Sequence, residues 1–325
     1  MTRFRWLFAL VAVAGLVSYW RHWIHEQRAA EALATKAQRE RRDAAWGRSP
    51  HPGPLPGAKV FETAHYAITS TAADADTRRV GDAVEALHAA YAQVFPTRSP
   101  RSDGAPKLKL TLYAHQAQFK ANNRSSAWAE AYYLRPICYA YFPKDEPSPH
   151  HWMLHEATHQ LNAEVSGFPR YKWVDEGLGT YFGTSRFEDG RLRPGRIDPD
   201  TYPVWHLANF RPSGSLDADI RDGRWIPIEA LITGIDAPSI HGNVNRYYLQ
   251  YWSLTHFLFH GENGRYAPGY QTVIAEGGTL ENFRRYIGPP ERIELEWYRH
   301  YRRLADEHAP NDDNDAATPV VHVGG

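Results

Sequence analysis

His155-Glu156-Ala157-Thr158-His159, followed seventeen residues later by Glu176 within Trp173-Val174-Asp175-Glu176-Gly177, is the stretch from which the rest of this chain is read. On a helix, residues i and i+4 share a face, so the two imidazoles can reach one metal ion. Glu156 lies about 100° further round, close enough to act on water beside the ion without being a ligand. The five residues alone are weak, because the chain holds 17 His. Random placement at that composition gives about 0.05 such matches. The flanks carry the argument further. No Pro or Gly interrupts residues 150–166, which predicts a helix over His150–Ser166. A second, antiparallel helix bearing Glu176 would complete a His₂Glu donor set with one position open to water.

Composition narrows the choice of metal chemistry. The 325 residues include 37 Lys+Arg and 37 Asp+Glu, a formal net charge of zero. A general nucleic-acid binder needs a basic excess to displace counterions, so nucleic acid is not an expected partner. With one cysteine, Cys138, neither an intrachain disulfide nor a Cys-based zinc cluster can form, so any metal must be held by His and carboxylate. Cys138 itself reads as a buried small apolar residue. Apolar residues at 42% and charged residues at 23% are globular values.

Working outward, the segment upstream of the motif predicts a small strand/helix layer. Val60–Ser70 alternates and reads as a strand, Asp76–Val94 as an amphipathic helix and Lys107–Tyr113 as a second strand. His115–Asn122 reads as a short helix, and Tyr132–Phe142 as one or two further strands. Downstream the pattern is helical: His150–Ser166, Trp173–Phe182, Tyr247–His260, Leu280–Tyr286 and Glu291–Glu307. Phe187–Ile240 is rich in Pro and reads as loop, with Tyr202–Phe210 a candidate lid. The expected class is therefore α+β, an N-terminal strand/helix layer with an edge strand and then a mainly helical lobe carrying the metal-site helices.

Residues 1–24 read as a membrane anchor or signal. Arg3 and Arg5 precede an apolar run, Trp6–Trp20, of roughly 22 Å as a helix, extended to roughly 28 Å by Trp23 and Ile24. An uncleaved anchor, with the rest exported, is the preferred reading; a cleaved signal releasing a secreted protein is the alternative. Residues 25–57 read as a helical stalk followed by a Pro-rich linker, 58–308 as the globular domain, and 309–325 as a polar disordered tail.

The stretches HEATHQLN and WVDEGLGTYF resemble the two motifs of gluzincin zinc metallopeptidases, H-E-x-x-H and a downstream W-x-x-E-G on the next helix. The order of elements before them, and YYLQYWSLTHFL after them, is similar to a group of bacterial exported gluzincins, over roughly residues 58–260. The resemblance implies one Zn²⁺ held by His155, His159 and Glu176, and Glu156 as general base. Tyr248 is the first choice for the donor to the oxyanion, with Tyr251 and Tyr247 behind it. It also implies a peptide or protein substrate aligned on an edge strand, placed here at Tyr139, Ala140 and Tyr141. Some gluzincins carry an acid four residues after the ligand Glu, where it orients a ligand His. Here that position is Thr180, which leaves Asp175 as the substitute. The implied activity is peptide hydrolysis outside the cytoplasm. The alternative is a non-catalytic zinc-binding or peptide-binding module of the envelope on the same fold.

Overall fold

The computed structural model describes residues 51–98, 105–126 and 128–308. The expected anchor, most of the stalk and the C-terminal tail lie outside the described residues. Among the described residues no helix is long and apolar enough to cross a membrane. The architecture is α+β, a five-stranded sheet followed by a helical lobe.

The sheet comprises β1 (Lys59–Glu62), β2 (Tyr66–Ser70), β3 (Leu108–Tyr113), β4 (Ala131–Leu134) and β5 (Ile137–Tyr141), in the order β1-β2-β3-β5-β4. β2, β3 and β5 run parallel, and β1 and β4 close the two edges antiparallel. The segment Val60–Ser70, expected as one strand, is two. Glu85 reaches from helix α1 (Asp74–Val94) into the break between them. It accepts from Thr63 Oγ1 at 2.5 Å and from the His65 amide at 2.7 Å, and it contacts His65 Nδ1 at 2.6 Å. A carboxylate that satisfies the turn in this way holds a reversal that strand patterning does not announce.

Alternation along the strands sends the two faces of the sheet to different cores. Tyr66, Ile68, Leu108, Leu110, Leu112, Cys138 and Ala140 face the main core. Each buried leucine contributes about 1.5–3 kcal/mol. The opposite face gathers Tyr113, Tyr132, Tyr139 and Tyr141 around Phe119 of α2 (Gln116–Asn122). Cys138 is buried as expected, with its thiol directed to Glu156 O and Gln160 Oε1.

Helix α3 (His151–Leu161) carries the H-E-x-x-H motif and continues, without the expected regularity, into a π turn over Asn162–Ser166. Helix α4 (Lys172–Gly183) follows, then a hairpin of β6 (Ser185–Glu188) and β7 (Arg191–Ile197). Short helices α5 (Leu216–Arg221) and α6 (Ile228–Thr233) lie in what reads as loop, because Pro and Gly in the flanking turns mask pieces this short. Helix α7 (Val244–His260) packs on α4. Helix α8 (Ala267–Glu276) was hidden by Pro268 and Gly269 in its first turn, where Pro is well tolerated. Helices α9 (Leu280–Tyr286) and α10 (Pro290–His308) complete the lobe, and α10 buries Ile293, Trp297, Tyr301 and Leu304 along one face.

Glu294 is a buried carboxylate on α10 that accepts from Trp225 Nε1 at 2.8 Å and from the Ile228 amide at 3.1 Å. Burial outweighs those two bonds and raises its pKa to about 7. A carboxylate raised on folding favours the native state below its unfolded pKa and loses that advantage as pH rises through the folded one. Between pH 5 and 8, Glu294→Gln should therefore gain stability relative to the wild type with rising pH, by up to about 3 kcal/mol in urea titrations. A constant difference across that window would show that Glu294 does not titrate there.

Candidate metal centre

Three glycines of α4 set the distances at the site. A Cβ on Gly177 would collide with Thr255 Oγ1 and stand 3.0 Å from Tyr251 O, so α4 lies hard against α7 there. On the other side, a Cβ on Gly179 would stand 2.9–3.1 Å from three atoms of the His155 ring. One on Gly183 would stand 3.1 Å from His151 O and 3.3 Å from His155 Cβ. The His155 imidazole thus lies flat on bare backbone, and α4 fills the gap between α3 and α7.

That approach brings the expected ligand atoms together. His155 Nε2 and His159 Nε2 are 3.1 Å apart, and Glu176 Oε2 is 3.4 Å from the first and 3.7 Å from the second. Ligands about 2.0–2.1 Å from a tetrahedral ion stand about 3.3 Å from one another, so the three atoms fit one zinc-sized cation. A carboxylate oxygen of Glu156 also lies within 4.8 Å of a ring nitrogen of each histidine. Glu176 is the nearer carboxylate and could serve as a third ligand; Glu156 is otherwise engaged. Its Oε2 accepts the Tyr133 amide at 2.8 Å. Side chains of His155, His159 and Glu176 keep 10–20% exposure, so the cluster is not sealed from solvent.

The electrostatics divide the two glutamates. Burial raises the pKa of Glu156, more than the neighbouring histidines can offset. Burial would raise Glu176 as well, but the hydrogen bond from His155 and the charge of His159 hold it below the usual carboxylate range. His159 would be lowered by burial, yet Asp175 and Glu176 lift it to about 10. Asp175 is depressed by the same pairing, reinforced by Asn162 and Arg170.

Asp175, and not Thr180, lies beside a histidine of the cluster. Asp175 Oδ1 lies 3.1 Å from His159 Nδ1, close but off the line of the N–H. Thr180, a candidate for the same place, donates to Glu176 O and Gly177 O of its own helix and does not reach a histidine. Its hydroxyl is consumed by back-bonding, as is common for Thr inside a helix.

Of the three tyrosines, Tyr248 is the one at the cluster. Its ring centroid is 6.2 Å from that of His155, and burial and the nearby charge of Glu176 push its pKa well above the usual phenol range. Tyr247 instead donates to Pro238 O at 2.7 Å. Tyr251 is buried, with its ring 5.6 Å from that of Tyr247. The loop from Tyr202 packs beside the cluster: Tyr202 stacks on Trp152 at 5.3 Å and packs on Tyr248 at 5.5 Å. His256 is not part of the site, being bonded to His300 and to Gly195 O.

The expected edge strand is corrected. Tyr139, Ala140 and Tyr141 lie on β5, which is paired on both sides; the edge is β4. β4 and β5 form a hairpin, and the return strand β4 is the one carried to the outside. Gly179, Asn162 and the Tyr133 amide touch residues of the cluster and were not picked out by the sequence reading. Gly179 was the one with a signal, as the second glycine of Gly177-Leu178-Gly179.

Residues 152–275, from α3 into α8, match the model of a family described as a protein of unknown function, DUF1570. No curated protein matches the chain.

Gly179→Ala should separate fold from site. Alanine favours a helix over glycine by about 1 kcal/mol, so the melting temperature should hold unless the ring contact outweighs it. Displacing the His155 ring should weaken zinc binding about 10–100-fold in competition with a chromophoric chelator. Unchanged affinity would show that His155 is not held by the Gly179 cradle.

Proposed function

We propose that this domain is a zinc-dependent peptidase. The observation that carries the reading is the donor triangle of His155, His159 and Glu176, at 3.1–3.7 Å, with the Glu156 carboxylate beside it. A zinc ion held there would polarise a scissile carbonyl and lower the pKa of a nearby water to about 7.

The remaining steps belong to the chain's own residues. Glu156 accepts a proton at its carboxylate and passes it to the departing amine, a role for which a raised pKa suits a carboxylate. The Tyr133 amide fixes one of its oxygens and leaves the other for the proton. Tyr248, kept neutral by its surroundings, retains the hydroxyl proton it would donate to developing negative charge on the carbonyl oxygen. The substrate aligns on β4. By strand alternation Ala131 presents its backbone on the same outer side as Tyr133, whose N–H is already taken. Tyr202 and Trp152 supply an aromatic wall for a substrate side chain. With Trp6–Trp20 as an anchor, the domain would act on peptides outside the cytoplasm.

Glu156→Gln keeps an acceptor for the Tyr133 amide but cannot take the proton. In a peptide-library digest it should lose about 10²–10⁴-fold in turnover while retaining zinc. Tyr248→Phe should lose about 10²–10³-fold in kcat with zinc unchanged. His155→Ala should lose the metal itself. Cleavage by Glu156→Gln at the wild-type rate would refute the mechanism, and equal zinc content in His155→Ala would refute the site.

A further inference from the structure

Behind Asp175 lies a chain of buried polar groups that the reaction as described does not use. Asn162, 5% exposed, donates from Nδ2 to Asp175 Oδ1 at 3.1 Å. Tyr91, on α1 and 1% exposed, shares its single hydroxyl proton between Asn162 Oδ1 and Ser166 Oγ, each at 2.9 Å. Ser166 Oγ in turn donates to Arg98 O at 3.2 Å. On its other oxygen Asp175 accepts from Arg170, with Nε and Nη2 both at 3.3 Å.

The pattern has one orientation. A rotated Asn162 amide would set its carbonyl oxygen against the Asp175 carboxylate, so Nδ2 must face Asp175 and Oδ1 must accept from Tyr91. The backbone leaves Asn162 little freedom. Its N–H bonds back to Thr158 O and His159 O, and its carbonyl accepts the Phe168 amide at 2.9 Å. The π turn starts at this residue, and turns of that kind concentrate at functional sites.

We propose that Asn162 and Tyr91 are positioning residues for the metal centre. Resting on the zinc reading above, the inference is that they hold the Asp175 carboxylate opposite His159 Nδ1, so that His159 presents Nε2 to the ion. Tyr91 and Asn162 touch neither ion nor substrate. They make metal affinity depend on how α1 packs against the end of α3.

The test compares cobalt(II) affinity, by chelator competition with the cobalt absorption band as a second readout, against urea midpoints in the same proteins. Tyr91→Phe should weaken cobalt binding about 3–10-fold, and Asn162→Ala about 10–100-fold with an altered band. Asn162→Asp, near in size but like-charged beside Asp175, should bind no better than the alanine variant. Tyr298→Phe loses a buried bond to Asp219, 2.6 Å long and outside the site. It should lower the urea midpoint with cobalt affinity unchanged. Wild-type affinity and band in both Tyr91→Phe and Asn162→Asp would overturn the proposal and leave the network a packing feature. A wild type that takes up no cobalt, like His155→Ala, would overturn the zinc reading and this inference with it.

Discussion

Helix α4 wedges between α3 and α7, and the rest of the structure depends on how thin it is on both sides. At Gly177 and Gly179 its surface is bare backbone, so that Tyr251 O and Thr255 crowd one flank and the His155 ring lies on the other. Any side chain at either position would push one neighbour away. That close approach is what sets a Glu176 oxygen 3.4 Å from one imidazole nitrogen and 3.7 Å from the other. Packing thus decides whether there is a centre before electrostatics acts on it.

The electrostatic side is costly in isolation. Taking one ion into the interior costs several kcal/mol even after relaxation. Here Glu156, Asp175 and Glu176 crowd two imidazoles, and each carboxylate is met by a distinct partner: a backbone amide, a side-chain amide with a guanidinium, and the histidines themselves. The arrangement separates the glutamates by environment. The one bonded to the strand amide is raised, and the one bonded to the histidines is lowered. Helix α3, which carries Glu156 and both histidines, is fixed to the sheet by Gln160, which donates to Lys109 O at 2.9 Å and Pro136 O at 2.8 Å.

Much of this was legible in the linear chain, where the signal was local. His155 and His159 share one helix face with Glu176 on the next helix beside them, and Leu108, Leu110 and Leu112 alternate into the core, as the pattern predicts. What escaped depended on contacts distant in sequence. The break at Thr63–His65 is made by Glu85 on another element. The exchange of β5 for β4 as the edge follows from β3 pairing with β5, which no property of residues 131–141 reveals. Tyr248 could not be separated from Tyr247 and Tyr251 until the roll of α7 was known. Asn162 looked like an ordinary helix residue, and only Tyr91, 71 positions earlier, gives its amide a role.

The bond from the Tyr133 amide to Glu156 ties the proposed proton carrier to the strand on which a substrate would lie. A peptide adding to β4 would stiffen that strand, and a stiffer strand would hold the carboxylate in a narrower range of positions. Residues of the substrate remote from the scissile bond would then be felt in the chemical step as well as in binding. Shortening a substrate on the β4 side would slow its turnover even when saturating, which is how a hydrolase comes to ignore short fragments without any gate to exclude them.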